Sequence, residues 1–192
     1  MKETSQDSST SLRREADVLL KEKGLLEILR VYGRPHVHGS YALDLMTWRD
    51  LDIYLESEDL SEHWFFELGG RLATALVPTR MSFRNERIER TPDLPSGFYW
   101  GIYLSLSEAQ SWKVDVWAIQ SAECAALLAR ERHMAGKLSA ANRPIILKIK
   151  KACWKHSEYR RGFSSADIYH AVLEEHVATF AQFREYIRRE RE

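Results

Sequence analysis

Residues 38–56 read HGSYALDLMTWRDLDIYLE, in which a Gly-Ser pair stands at a fixed distance before an Asp-Leu-Asp within an apolar run. If that run is a strand, its side chains alternate between two faces, so Asp50 and Asp52 point the same way. Two carboxylates on one face offer the hard oxygen ligands that Mg²⁺ prefers. Gly39 and Ser40 predict a tight turn whose N–H groups and hydroxyl can hold a phosphate. The stretch therefore predicts a combined metal and phosphate site.

This pattern resembles that of the nucleotidyltransferase superfamily, whose best-known member is DNA polymerase beta. The family pattern is an apolar residue, Gly followed by Gly or Ser, a spacer, and Asp-x-Asp, with a third carboxylate on a later strand. Here Val37 precedes the turn, nine residues separate Ser40 from Asp50, and Asp115 is the acid in the strand-like run WKVDVWAI. The resemblance covers residues 37–56 and 112–119.

The order of the elements predicts an α+β fold, a nucleotidyltransferase-type mixed sheet flanked by helices and followed by a helical C-terminal part. Residues 61–77 form an amphipathic pattern in which the pair Gly69-Gly70 permits either close packing or a kink. Residues 78–119 alternate as a meander of strands, and the last of these is expected beside the Asp50 strand.

The resemblance implies a catalytic domain over residues 1–120 and a helical C-terminal subdomain over residues 121–192. Within the first, the segment 41–49 is expected to make about two helical turns between neighbouring strands. Within the second, residues 164–190 are expected to form one long final helix, because apolar side chains recur along it at helical spacing.

The resemblance also implies how the site divides its chemistry. Asp50 and Asp52 would bind Mg²⁺, with two ions expected in all. Asp115 would be a third metal ligand that also accepts the proton of the attacking hydroxyl. Gly39 and Ser40 would fix a terminal phosphate of the nucleotide.

Two acids have alternative interpretations. Asp115 could instead be a structural strand residue paired with Lys113 or with an arginine. Asp44 is a competing acid between the turn and the strand, and we interpret it as a surface or capping residue because it falls where the connecting helix is expected.

Lys148, Lys151 and Lys155 recur on one side of a predicted helix and are candidate contacts for the triphosphate. Residues 143–161 carry seven Lys or Arg against one acid, whereas residues 41–62 carry seven acids against one Arg. If the two segments face each other, magnesium and triphosphate would lie between them. The alternative is that the lysines form a solvated helix face.

The implied activity is magnesium-dependent transfer of a nucleoside monophosphate from an NTP, with ATP favoured, to a hydroxyl of an unknown small-molecule acceptor, releasing pyrophosphate. The chain resembles the small adenylyltransferases and related enzymes that modify lincosamide and aminoglycoside antibiotics. Alternatives are a non-catalytic nucleotide-binding or regulatory protein and a minimal toxin–antitoxin-type enzyme acting on a protein or RNA. A formal net charge of zero argues against nucleic acid as a partner.

The composition is that of a globular protein, with 44% apolar residues in a chain of 192. Cys124 and Cys153 are expected to be buried free thiols, and the seven histidines show no metal-ligand cluster. Trp100 and Trp112 are assigned either to the core or to the wall of an acceptor pocket. No apolar run has the length of a membrane span and no signal peptide is visible, so we expect a cytoplasmic protein. The sequence does not indicate an oligomeric state.

Overall fold

The computed structural model describes residues 5–88, 90–107, 111–154, 156–159 and 161–191. Within these ranges the chain folds around a five-stranded mixed sheet. The strands are β1 (Arg34–His38), β2 (Asp50–Glu56), β3 (Arg80–Asn85), β4 (Phe98–Ser105) and β5 (Ser111–Ile119). Their spatial order is β1-β2-β5-β4-β3, with β2 and β5 parallel and the other neighbours antiparallel. The predicted α+β architecture is confirmed.

The helices of the described residues surround this sheet. Gly24 begins the second helix with φ of 70°, a left-handed conformation that glycine adopts without steric cost, and this explains the break after the first helix. A π-helical turn, Val18–Glu22, precedes that break. The helices are α1 (Ser5–Asp17), α2 (Leu25–Tyr32), α3 (Gly39–Ala42), α4 (Glu62–Leu76), α5 (Ser121–Lys137), α6 (Asn142–Cys153), α7 (Ser165–Leu173) and α8 (Phe180–Arg189).

The two faces of the sheet differ in character because side chains alternate along each strand. On β2, Leu51, Ile53 and Leu55 are fully buried in the main core. That core also contains residues of α1, α2 and α4, so these helices cover the apolar face. The opposite face of β2 carries Asp50 and Asp52 and is the face on which the candidate site lies.

The strand predicted to lie beside the Asp50 strand does so. β5 pairs with β2 in parallel, and the register sets Asp50 opposite Lys113 and Asp52 opposite Asp115. Parallel neighbours need a crossover connection, and here the segment from α4 through the β3-β4 hairpin supplies it.

The C-terminal helices form a second apolar core. Residues of α6, α7 and α8 pack there together with Leu43 and Leu45 from the connection between β1 and β2. Helix α5 differs from them, because its Cys124 packs in a small cluster with Tyr99 and Trp117 of the sheet. The division into residues 1–120 and 121–192 remains a prediction, and α5 contacts both cores, since its Met134 packs against the second one.

Two expectations about helices are wrong. The connection between β1 and β2 makes only the single turn of α3, since Asp44 then adopts φ of 55° and Arg143 donates to the carbonyl oxygens of Leu43 and Asp44 at 2.6 and 3.0 Å. The final segment is two helices, because His176 has φ of 55° and Thr179 caps α8 anew.

Both cysteines are buried free thiols, as expected. In the described parts of the chain, no helix combines the length and the apolar character that crossing a bilayer would require.

The pair Gly69-Gly70 on α4 provides a stability test. A Cβ on Gly69 would lie 2.7 Å from Cζ2 of Trp100, whose indole N–H donates to the Phe65 carbonyl at 3.0 Å, whereas a Cβ on Gly70 would meet nothing within 4 Å. We predict that Gly69→Ala destabilises the fold by about 1–3 kcal/mol through overpacking. Gly70→Ala, the matched control, should stabilise it by roughly 0.5–1 kcal/mol. Urea unfolding of both variants measures this, and equal effects would contradict the close packing at Gly69.

Candidate active site

Three carboxylates lie together on the polar face of the sheet. Asp50 and Asp52 belong to β2, and Asp115 lies directly opposite Asp52 on β5. Neighbouring strands are separated by about 4.8 Å, which brings opposite side chains within reach of one shared ion. The sheet register therefore assembles the two parts of the sequence pattern, which are more than sixty residues apart.

The three carboxylates carry more negative charge than the neighbouring lysines neutralise. Burial raises the pKa of Asp52 well above its usual range, and the charges of Asp50 and Asp115 raise it further. Burial also raises the pKa of Asp115, while the ammonium of Lys113 opposes that change. A divalent cation would relieve this repulsion, and carboxylate oxygens are its preferred ligands. The residues present therefore fit a magnesium site.

Asp115 has two close hydrogen-bond partners. Lys113 donates to Oδ2 at 2.5 Å, and the Tyr99 hydroxyl donates to Oδ1 at 2.8 Å. The pairing with Lys113 is what the structural interpretation of Asp115 predicted, and the position opposite Asp52 is what the metal interpretation predicted. Both features are present, so the carboxylate is oriented by its neighbours while it faces the other two acids.

The Gly39-Ser40 turn lies directly against the carboxylates. Gly39 has φ of 67°, and a Cβ there would stand 2.9 Å from Oδ2 of Asp52. Glycine is therefore required both by conformation and by the close approach of backbone and carboxylate. The turn places Gly39 and Ser40 directly after β1, with Gly39 next to the predicted metal ligand Asp52.

Glu131 of α5 reaches this turn, which the sequence did not predict. Its carboxylate accepts the Gly39 N–H at 2.5 Å, and burial raises its pKa although that hydrogen bond opposes the shift. The neighbouring His38 stacks on Tyr54 with ring centroids 3.6 Å apart, and burial lowers the pKa of His38 to about 3. The imidazole is therefore neutral at physiological pH. A carboxylate thus occupies one donor that the sequence assigned to phosphate.

Lys150 is a buried lysine on α6, the helix that also carries the predicted Lys148 and Lys151. Its ammonium donates to the Leu45 carbonyl and the Tyr169 hydroxyl, both at 2.8 Å, and lies 4.8 Å from the centre of the Trp48 ring. Burial lowers the pKa of Lys150 to about 7, while the charges of Asp52 and Asp50 favour the ammonium. A lysine held this way is electrostatically coupled to the carboxylates.

The predicted lysines have other positions on the same helix. Lys148 is exposed, Lys151 is half-buried, and Lys155 lies outside the described residues. Two residues along an α-helix correspond to about 200° of rotation, so Lys148 and Lys150 point to opposite sides. The sequence did contain a signal for Lys150, because it shares the buried spacing of Ile146 and Cys153.

A cavity of about 550 Å³ opens beside Asp50. Its wall includes Lys113 and two tryptophans, Trp48 and the half-exposed Trp154. Trp100 and Trp112 are instead buried in the main core, so the pocket alternative for those two residues is wrong. The remaining lining comes from Ser8, Ser11, Leu12, Glu15, Thr47, Arg49 and Ser111.

Solved protein structures share the fold of this chain. Crystal structures of Cid1 poly(U) polymerase are similar to the chain. The complex with magnesium and 3′-dATP gives a TM-score of 0.56 at 19% identity, covering 84% of this chain and 48% of that one. The complex with MgGTP gives 0.57 at 18%, covering 85% and 50%.

The chain thus spans about half the length of these polymerase chains. No protein-family model and no curated protein sequence matches it. At this level of identity the likeness shows the fold alone.

The charge of the cluster predicts a stability effect. Because the pKa of Asp52 is raised by folding, the metal-free protein loses stability as the pH rises from the usual aspartate range through that raised value. Asp52→Asn removes this penalty, so we predict a metal-free melting temperature a few degrees above that of the wild type at pH 7. The gain should vanish below the usual aspartate pKa of about 4.

Magnesium should raise the melting temperature of the wild type and leave that of Asp52→Asn nearly unchanged. Thermal unfolding with and without Mg²⁺ measures both effects, with the exposed Glu58→Gln as the control that responds like the wild type. A wild-type melting temperature that ignores magnesium would contradict the assigned site.

Proposed function

We propose that the protein transfers a nucleoside monophosphate from an NTP to a hydroxyl group, with magnesium and with release of pyrophosphate. The observation that carries the proposal is the register that sets Asp115 opposite Asp52, with Asp50 on the same face and the Gly39-Ser40 turn against them. The likeness to structures solved with magnesium and nucleotides supports it.

In this proposal Asp50, Asp52 and Asp115 hold the magnesium, and two ions are the expected number. Bound magnesium would coordinate the triphosphate and neutralise charge on the entering and leaving oxygens. Asp50 and Asp52 fix its position because both belong to one rigid strand of the sheet. The excess negative charge of the metal-free cluster supports this assignment.

Asp115 is the proposed proton acceptor. The acceptor hydroxyl would lose its proton to the Asp115 carboxylate, its oxygen would bond to the α-phosphorus, and the bond from that phosphorus to the bridging oxygen would break. Lys113 and Tyr99 orient the carboxylate through their hydrogen bonds.

The phosphate contacts are proposed to come from the turn and from α6. Ser40 and the Gly39 N–H would hold a terminal phosphate, which requires that Glu131 leave the Gly39 N–H when nucleotide binds. Lys150, whose charge interacts with those of Asp52 and Asp50, is a stronger candidate for the triphosphate than Lys148, whose side chain is exposed. Lys151 remains a candidate from the sequence.

For the acceptor, we propose a small molecule, with ATP as the favoured donor. A cavity of about 550 Å³ beside Asp50 falls within the range of small-molecule sites, and its tryptophans offer flat apolar walls. The neutral net charge of the chain also favours a small acceptor over nucleic acid. The likeness to a poly(U) polymerase favours a second candidate, the terminal hydroxyl of an RNA.

A screen of acceptors with labelled nucleotides tests the activity, with pyrophosphate release as the readout. Aminoglycosides, lincosamides and short RNAs with a free terminal hydroxyl are the acceptor classes to include. We predict magnesium-dependent pyrophosphate release with one class, and loss of at least 100-fold in Asp50→Ala and Asp52→Ala while circular dichroism shows an intact fold. Full activity in either variant would contradict the proposal.

Calorimetric titration separates the enzyme from a non-catalytic module of the same fold. Magnesium-dependent NTP binding together with turnover supports the enzyme. NTP binding without turnover of any acceptor favours a nucleotide-binding or regulatory protein. Transfer of the label to a polypeptide would indicate a minimal enzyme that acts on protein.

Lys150 and Lys148 form a matched pair for the phosphate assignment. We predict that Lys150→Met weakens NTP binding by about tenfold or more, because the variant removes a buried cation coupled to the carboxylates. Lys148→Met should change it by less than about twofold, since exposed charges contribute little. Titration with MgATP measures the affinity of both variants. A larger loss in Lys148→Met than in Lys150→Met would contradict the assignment of Lys150 and favour Lys148.

A further inference from the structure

His36, Glu56 and Cys124 form a second group of potential metal ligands at the opposite end of β2 from Asp50. Their donor atoms all lie within 4.8 Å of one another. The three residues come from β1, β2 and α5, so sequence spacing gave no sign of the group. The sequence shows no metal-ligand cluster among the histidines, and this group forms only where the three elements meet in the fold.

The side chains are already arranged around a common point. His36 Nε2 and Glu56 Oε2 share a hydrogen bond of 2.7 Å, which a bound ion would replace, and both side chains are about one-fifth exposed, which leaves a route from solvent. The Cys124 side chain is buried beneath them. Because the ligands come from three elements of the rigid fold, their approach is set by the packing of the strand edge and of α5.

We propose that His36, Glu56 and Cys124 bind a zinc-class divalent cation, as a site separate from the magnesium carboxylates. Zinc takes thiolate, imidazole and carboxylate ligands in tetrahedral sites, and three protein ligands leave one position for water. Magnesium avoids sulfur and nitrogen ligands, so the two groups differ in the ion that they select.

Distance keeps the two sites apart. Asp52 and Glu56 lie on the same face of β2 but four residues from each other, which corresponds to about 13 Å along a strand. An ion at the second group therefore shares no ligand with an ion at the first.

The charges of the ligands match such an ion. On binding, the Cys124 thiol gives its proton to solvent and the thiolate bonds to the metal, while His36 coordinates as neutral imidazole. The thiolate and the Glu56 carboxylate then carry two negative charges against the two positive charges of the ion. Arg34 pairs with Glu56 in the strand register, and its exposed guanidinium is close enough to favour the charged forms of both the Glu56 carboxylate and the Cys124 thiol.

A bound ion would clamp α5 to the edge of the sheet. The same helix carries Glu131, whose carboxylate accepts the Gly39 N–H in the candidate active site. The ligand group and that carboxylate lie seven residues apart on α5, about two helical turns. The proposed ion therefore fixes the helix that contacts the phosphate turn, independently of whether the nucleotidyl-transfer proposal holds.

The test is titration of the full chain with Co²⁺ in excess Mg²⁺, followed by displacement with Zn²⁺. We expect a thiolate-to-cobalt charge-transfer absorption that saturates at one ion per chain and that zinc abolishes. Cys124→Ser should lack this absorption, and Cys153→Ser, which removes the other buried thiol, should keep it. His36→Gln and Glu56→Gln should weaken cobalt binding at least tenfold, about 1.4 kcal/mol.

Circular dichroism of each metal-free variant shows whether it folds. If Cys124→Ser does not fold, the His36 and Glu56 variants still test the proposal. Absence of the charge-transfer absorption in the wild type would overturn the proposal. Unchanged cobalt affinity in both His36→Gln and Glu56→Gln would overturn it as well, since the thiol alone would then be the ligand.

Discussion

The parallel pairing of β2 with β5 is the constraint on which the rest of the site depends. It sets Asp115 opposite Asp52 and at the same time buries Leu51 and Ile53 on the other face. A slip of β2 by one residue would turn its carboxylates into the core and Leu51 and Ile53 towards the site, so the apolar core enforces the register. The pairing of these two strands therefore fixes both the packing of the core and the geometry of the site.

The cost of this arrangement is electrostatic. Burial and the charges of Asp50 and Asp115 raise the pKa of Asp52, and the cations Lys113 and Lys150 oppose only part of that shift. Lys150 is itself held by neutral partners, the Leu45 carbonyl and the Tyr169 hydroxyl, so neither hydrogen bond neutralises its charge, which the charges of Asp52 and Asp50 favour. Sites of this kind give up stability for the ability to bind a cation and a polyphosphate.

The sequence predicted those parts of the molecule that local pattern encodes. Alternation along β2 identified the face of Asp50 and Asp52, and the strand-like run around Asp115 identified its partner. It also predicted the α+β class and the helix α4. The turn between Gly39 and Asp50 was misjudged, because the Arg143 contacts that shape it come from a residue about one hundred positions away.

The missed site residues share the same physical cause. Glu131 and Lys150 reach the site only through the docking of α5 and α6, and neither carries a spacing relative to the Gly-Ser turn. Lys150 falls on the periodicity of the buried residues of α6. The sequence alone, however, does not distinguish a buried lysine from an exposed one. The group of His36, Glu56 and Cys124 was hidden in the same way.

The most direct test of the account is a crystal structure with Mn²⁺ and an NTP analogue that has a non-hydrolysable bond between the α- and β-phosphates. Anomalous scattering locates manganese independently of the refined coordinates. We expect manganese bound by oxygens of Asp50, Asp52, Asp115 and the triphosphate, with the α-phosphorus beside Asp115 and Glu131 displaced from Gly39. A nucleotide bound elsewhere, or manganese absent from the three carboxylates at saturating concentration, would contradict it.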